Sequence, residues 1–600
     1  AVIADTGAAV AESNEGNNTS TAAVTTNVSN GAAPVIQFDA AVTTDFIEVP
    51  LDGPGAISAV IGDATDPART LGVDFALSDA DSAPASLSVL VASSNLTVVP
   101  AANLSLSGSG LSRHLAVTPA SVGYSNLTLT VTDAQGNSDS YLINYAASDG
   151  SGAPATTRWH TGGADASTAV AIDTDTMLAS IDEDQRLRFV DRDGSGLPRS
   201  QFDVTSLLGL TDLSGGLPRE VDIESSVRVG NRIYFMGSHS NSSGGNLRPN
   251  RYRLFAVDLS APASLTYVGR YAGLRSDLLA WDSSNGHGLG ASFFGLTASA
   301  AAGVVPEEPN GAGFNIEGLA IAPNGNAYLA FRAPIVPATA RTRALIVPLT
   351  NLAALVSGNP GAGPAQFGAP IQLDLGGRGI RSLDCNASEC LIIAGPAAAG
   401  SFRLYTWDGN PASRPLERSA NLSGLNPEGI VELPAMLGAA SSLQILSDLG
   451  DSVFYNDGVI AKDLPRDNWK KFRSDLIVLG GTADVSISDV AVSEGNAGTS
   501  VLSFTVSLSS AVSNTVSVDF ATADGTATSA SGDYQPTAGT LNFAPGSTSQ
   551  NVTVTVNADL ILEANETLLV NLSNAQGAVS YTHLRAHETK ANLVCRLLLE

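Results

Sequence analysis

Four stretches in the middle of the chain open with the same kind of polar cluster before an apolar run. They are Asp222-Ile223-Glu224-Ser225, Asn315-Ile316-Glu317-Gly318, Ile380-Arg381-Ser382-Leu383-Asp384 and Asn426-Pro427-Glu428-Gly429. His239 and Arg332 lie fifteen positions after Glu224 and Glu317, and Arg378 and Arg381 stand just before Asp384. Carboxylates gathered with a histidine and several arginines can hold a metal ion and a phosphate or carboxylate substrate, with Glu or His as base. The candidate catalytic set is therefore Glu224, His239, Glu317, Arg332, Arg378, Arg381, Asp384 and Glu428, with Asp182, Glu183 and Asp448 placed to complete it. The same acids could instead satisfy backbone N–H groups and arginine partners at strand starts, locking unit to unit. No Gly-x-Ser-x-Gly nucleophile motif accompanies them, so whether this region is an enzyme stays open.

The elements that must position these residues are short strands. Runs 232–239 and 252–258 follow the first cluster, 327–332 and 344–349 the second, 391–396 and 402–409 the third, and 443–448 the fourth. Repeated antiparallel units of this kind close into a β-propeller, expected over 157–480 with about six blades. Its innermost strands begin at one face beside the central channel. Glu224, Glu317, Asp384 and Glu428 should then ring the channel mouth, with His239 and Arg332 ending second strands on that face. Leu274, Leu278 and Trp281 at helical spacing predict a rim helix over 271–281. Cys385 and Cys390 enclose Asn-Ala-Ser turn chemistry and precede an apolar strand. Facing strands of one hairpin and a disulfide are expected there, which fits an oxidising compartment. A lone Cys-x4-Cys lacks the second ligand pair of a zinc site.

The central stretch resembles an uncharacterised bacterial propeller family, a domain of unknown function distantly similar to phytase-like esterase propellers. The residues that carry this are Asn315 to Ala320, Gly376 to Leu383, Gly237 to Ser240 and Phe402 to Gly409. Farther on, Val492-Ser-Glu-Gly, Asp519-Phe-Ala-Thr-Ala-Asp-Gly-Thr-Ala, Ser531-Gly-Asp-Tyr and Glu563-Ala-Asn-Glu-Thr-Leu resemble a Calx-β domain over 483–578. That resemblance implies an Ig-like sandwich with calcium at one end, and it maps the carboxylate ligands onto Glu494, Asp533, Asp559, Glu563 and Glu566. Ala558 departs from the Asp-Asp pair of many members. Alternating runs at 85–92, 126–132 and 140–145 predict another β-sandwich over 33–148, similar to the Ig-like or cadherin-like repeats of bacterial surface proteins. Its acidic turns could offer Asp79, Asp81 and Asp133 to a calcium ion, although short acidic turns at strand ends are more often plain solvated loops. Residues 1–30 resemble the closing hairpin of a bacterial cell-adhesion-related domain. The tail 579–600, with His583, His587 and Cys595, resembles a translated sequencing adaptor and is expected to stand apart from the fold, as on a metagenomic fragment.

The whole reads as all-β and multidomain, with β-sandwich modules flanking a propeller. A net charge of −27, four lysines and 59 glycines disfavour nucleic acid and anionic membranes, which demand clustered Lys and Arg. No apolar run reaches the roughly 18 residues of a transmembrane helix. The chain begins at Ala1 without a signal peptide, read as truncation of a secreted or cell-surface protein. Two functional classes follow: adhesion or recognition of an extracellular ligand, glycan or protein, with calcium on the Calx-β module; or metal-assisted hydrolysis of phosphate or carboxylic esters in the propeller.

Overall fold

The structure is a computed structural model that describes residues 31–38, 47–48, 55–261, 263–358, 362–398, 400–512, 515–561, 566–580 and 585–587. Residues 1–30 and Glu563 lie outside them, as do His583 and Cys595. Strands dominate throughout.

Five four-stranded antiparallel sheets fill the centre of the chain. Their first strands are Ala166–Ala171, Ile223–Val229, Asn315–Ile321, Gly379–Cys385 and Pro427–Ile430. Each first strand lies beside the first strand of the next sheet, and that of the fifth sheet returns to that of the first. Five sheets stand where about six units were expected. Arg158–Thr161, which precedes the first sheet in the chain, supplies the outer strand of the fifth by pairing with Lys471–Val478.

Apolar side chains on both faces of these strands explain the stacking. Leu178, Phe189, Ile233 and Phe255 fill the space between the first and second sheets. Met236, Leu254, Leu329 and Phe331 fill the next, Ile346, Ile380 and Ile392 the third, Leu391, Leu404 and Ile445 the fourth. Met177, Val431, Leu446 and Phe472 join the fifth sheet to the first. Each such side chain stabilises by about 1.5–3 kcal/mol when fully buried. The helix expected at 271–281 is found at Leu274–Ser283, with Leu274 and Leu278 buried against the second and third sheets. Cys385 and Cys390 sit opposite one another across a hairpin and form a disulfide.

A two-sheet unit lies on each side of the array in sequence. In the first, Leu127, Leu129 and Val131 point inward at alternate positions and pack with Ile57, Phe75 and Leu115, the period of two that a half-buried strand demands. This unit touches the array through Asn468 Nδ2, which donates to the Ala56 carbonyl at 2.6 Å. In the last unit, Leu502, Phe504 and Val506 of one strand and Val552, Val554 and Val556 of its neighbour in the same sheet pack with Val516, Val518, Leu568 and Val570 of the other sheet in a second core. Two pieces of the expected foreign tail join this unit: Val579–Ser580 pairs with Asp484–Ile487, and Arg585–His587 with Leu568–Gln576. Among the described residues no helix is long and apolar enough to cross a membrane.

Candidate functional site: an acidic mouth built on five bulges

Each of the five first strands breaks register with its neighbour near its start. Pairing jumps from Ala166 to Thr168, from Ile223 to Ser225, from Ile316 to Gly318, from Ile380 to Ser382 and from Pro427 to Gly429. A bulge leaves one residue unpaired and re-aims its side chain. The five re-aimed residues are Ser167, Glu224, Glu317, Arg381 and Glu428, and all five line one cavity of about 580 Å³. One polar device repeated in every sheet therefore converges on a single space.

The fourth sheet corrects the sequence-based phasing. Arg381, not Asp384, occupies the position of Glu224, Glu317 and Glu428. Its preceding neighbours, Gly379 and Ile380, align with Asp222 and Ile223, and the Arg332 carbonyl lies where a side chain at residue 379 would have to go. Asp384 lies three residues farther along the strand and lines a different cavity of about 520 Å³ with Arg228 and Glu432. Burial pushes its carboxyl up to about 7.

His239 also departs from expectation. It is fully buried and does not line the mouth. The strand before it ends at Gly237, and a left-handed backbone at His239 (φ 58°) turns the chain. Its Nδ1 donates to the Gly237 carbonyl at 2.7 Å, and burial holds its pKa down to about 4. Arg378 is likewise outside the mouth and donates to the Ser401 carbonyl at 2.8 Å.

On the third and fourth sheets the charges pair. Arg381 Nε lies 3.3 Å from Glu317 Oε2, and Arg381 Nη2 is ion-paired with Glu428 Oε1. Arg332 Nη1 reaches Glu317 Oε1 at 3.0 Å and its Nη2 reaches Glu307 at 2.6 Å. Glu317, Arg381, Glu428 and Arg332 are at most 7% exposed, so these pairs are poorly screened by solvent. Arg251 meets Asp222 at 2.8 Å and Glu220 at 3.0 Å.

On the fifth, first and second sheets the acids crowd each other instead. Asp165, Asp182, Glu224 and Asp448 line the same cavity. The backbone explains their placing: Asp182 N donates to the Asp165 carbonyl, and Asp448 N to the Asn426 carbonyl, so second strands end beside first-strand starts. Burial, then a hydrogen bond with Asp448, pushes the Asp165 carboxyl up to about 9. Burial and the neighbouring Asp165, Asp222, Glu224 and Asp448 raise Asp182 well above the carboxylate range. Glu224 is raised by burial and then by Glu317 and Asp222. Like charges brought together out of water retain protons or take up a cation. Asp165 carried no sequence signal, because the bulge residue of its sheet is a serine.

Of the acids mapped onto the last unit, Glu494, Asp533 and Asp559 lie at one end of it. Glu494 Oε1 accepts from the Asp559 amide at 3.2 Å. Asp533 accepts from Thr528 N at 2.7 Å and from the Ser531 hydroxyl at 2.6 Å, and its carbonyl receives Asn557 N, two residues before Asp559. Glu566 is half-buried just before the strand Leu568–Gln576. In the first unit, ligand oxygens of Asp79, Asp81 and Asp133 lie within 4.8 Å of one another. Asp133 already accepts from Gln135 N, Asn137 N and Asn137 Nδ2.

Two stretches match known families. Residues 481–594 match the Calx-beta domain, and residues 304–450 match a family described as protein of unknown function (DUF3616). The second match runs from the loop carrying Glu307 to Asp448 and so includes half of the mouth. No curated protein matches. Among solved structures, the apo-form Calx CBD1 domain is 24% identical, with 18% of this chain and 95% of that chain covered and a TM-score of 0.17. CBD12 from CALX1.2 is 26% identical, with 18% and 43% covered and a TM-score of 0.16. The calcium binding domain CBD12 of CALX1.1 is 27% identical, with 18% and 44% covered and a TM-score of 0.16. The chain thus spans under half the length of the two CBD12 structures.

Proposed function

We propose that the five sheets are the blades of a β-propeller held between two β-sandwich domains of a secreted or cell-surface protein, and that its acidic mouth is a ligand-recognition site. The observation that carries this reading is the repeated bulge, which sends one residue of every sheet into the same cavity. Bulges of this kind cost ladder hydrogen bonds and concentrate at functional sites. The disulfide Cys385–Cys390 and the Calx-beta match support an extracellular setting. Calcium is assigned to the C-terminal module, on Glu494, Asp533, Asp559, Glu563 and Glu566, by likeness to calcium-binding relatives.

Recognition is favoured over ester hydrolysis by how the polar groups are spent. Of the two hydroxyls adjacent to His239 in sequence, Ser238 donates to Ser240, and Ser240 accepts from Arg251 and donates to the Asn241 carbonyl, while His239 Nδ1 is committed to Gly237. No base faces a nucleophile in that arrangement. Arg251, Arg332 and Arg381 are engaged by carboxylates rather than open to an anionic ester. The alternative, metal-assisted hydrolysis of phosphate or carboxylic esters, draws on the nine carboxyl groups around one cavity, since hard oxygen donors suit a Lewis-acid cation.

Glycan and peptide arrays probed with the full chain, beside release of p-nitrophenol from phosphate and acyl esters with calcium or with chelator, separate the two. A ligand whose binding needs Glu224, without turnover, supports recognition. Metal-dependent turnover lost in a folded Glu317→Ala variant overturns it.

A further inference from the structure

The unpaired side of the mouth is rich in carboxylate acceptors, and the one ammonium there, Lys462, is ion-paired with Asp451 at 2.6 Å. Asp165, Asp182, Glu224 and Asp448 make no ion pair among the described residues. A second group lines the same space. Asn315 is 4% exposed, its Nδ2 donates to Glu317 Oε1 at 2.6 Å, and its Oδ1 is buried without a hydrogen-bond donor. Asn315 and Glu317 both line the cavity, and the bond between them fixes the orientation of the amide that carries the orphaned oxygen. A buried acceptor left unmade costs about 1–3 kcal/mol, and here it stands beside carboxyls that repel one another.

A bare metal ion suits this spacing poorly. Calcium draws its oxygens in to 2.3–2.6 Å, which sets ligand atoms close together. Among the described residues only Asp79, Asp81 and Asp133 bring three such oxygens within 4.8 Å of one another. A cavity of about 580 Å³ with dispersed acceptors instead accommodates a larger cation with several N–H donors, at the 2.7–2.9 Å distances of charge-assisted hydrogen bonds.

We propose that the mouth binds an organic cation, an ammonium or guanidinium group, held by Asp165, Asp182, Glu224 and Asp448 with the Asn315 carbonyl oxygen as a further acceptor. The inference rests on the reading of the mouth as a recognition site and names its ligand class. Such a group reaches the protein either as a free polyamine or as a lysine or arginine side chain of a partner. In the ligand-free protein Asp165 and Asp182 keep protons, Asp165 facing Asp448, Glu183 and Lys462, and Asp182 facing Asp165, Asp222, Glu224 and Asp448. An entering cation displaces protons, so binding releases them and strengthens as pH rises.

The test is titration calorimetry on the full chain at physiological salt, in two buffers of different ionisation enthalpy. The probes are spermidine, an acetylated Gly-Ser peptide with one central arginine, the same peptide with glycine in its place, and calcium chloride. Asp182→Asn and Glu224→Gln remove charge at the mouth, and Glu432→Gln removes the same charge at the opposite cavity. Circular dichroism checks that each variant is folded. The expected result is saturable binding of spermidine or of the arginine peptide with net proton release, weakened at least tenfold by Asp182→Asn or Glu224→Gln and unchanged by Glu432→Gln. Whichever of the two probes binds identifies the source of the cation. Equal weakening by Glu432→Gln reduces the effect to a diffuse acidic surface and overturns the proposal. Calcium binding lost in Asp182→Asn, with no amine or guanidinium bound, overturns it in favour of a metal. A neutral glycan that requires Glu224 sinks the cation alone and leaves recognition standing, whereas ester turnover sinks both.

Discussion

Arg381 Nε lies 3.3 Å from Glu317 Oε2, and the two residues occupy equivalent bulge positions on adjacent sheets. The same guanidinium reaches Glu428 on the following sheet. One cation in a ring otherwise made of Glu and Ser therefore ties three first strands together. Removing one partner of a buried ion pair leaves an uncompensated charge and destabilises by about 3–5 kcal/mol. Arg381→Met is expected to cost that much in urea unfolding, and Arg381→Met with Glu317→Gln and Glu428→Gln to recover most of it. A single variant as stable as the parent would show that the ring is held by packing alone.

This pair also marks what the sequence could and could not reveal. Glu224, Glu317 and Glu428 were legible because each sits in an acidic or amide, apolar, Glu cluster repeated along the chain. The fourth unit hid its member, since an arginine replaces the acid. Asp384 was the nearest carboxylate, but three residues of strand carry it about 10 Å away, to the other cavity. His239 keeps the correct interval from Glu224, yet one left-handed residue turns the chain before its ring can reach the mouth. Interval counts distance along a strand, not the direction taken after it ends. The apolar alternation of the flanking units needs no long-range information, and it was readable directly.

Stability should depend on pH through Asp165. Its carboxyl titrates near 9 in the folded chain and near 4 when unfolded. Between those values the folded form binds a proton that the unfolded form lacks, so stability falls as pH rises through the window. One proton contributes a slope of at most about 1.4 kcal/mol per pH unit. Urea unfolding at pH 5, 7 and 9 should show a decline that Asp165→Asn flattens. An unchanged slope in that variant would assign the dependence to other groups.

Calcium should stabilise the C-terminal module and leave the mouth alone. Glu494 already receives the Asp559 amide, and Asp533 is 5% exposed at the same end of the unit. A ligand at a hundred times its dissociation constant adds about 2.7 kcal/mol. Calorimetric scanning with calcium and with chelator should show that gain in the parent and its loss in Glu494→Gln with Asp533→Asn. A shift that survives those substitutions would move the calcium elsewhere, Asp79, Asp81 and Asp133 being the group to test next.

The disulfide should matter to stability and not to recognition. Cys385 and Cys390 are five positions apart, and closing so short a loop restricts the unfolded chain by about 2 kcal/mol. The pair sits at the end of the first strand of the fourth sheet, beyond Asp384, while Arg381 near the strand start faces the mouth. Cys385→Ser with Cys390→Ser should therefore lower the unfolding free energy by about that amount, with ligand binding at the mouth unaltered. The Cys385 end lines the opposite cavity. A binding defect in the folded double variant would mean that the two ends of the array are coupled through the fourth sheet's first strand. Arg381 would then report on both.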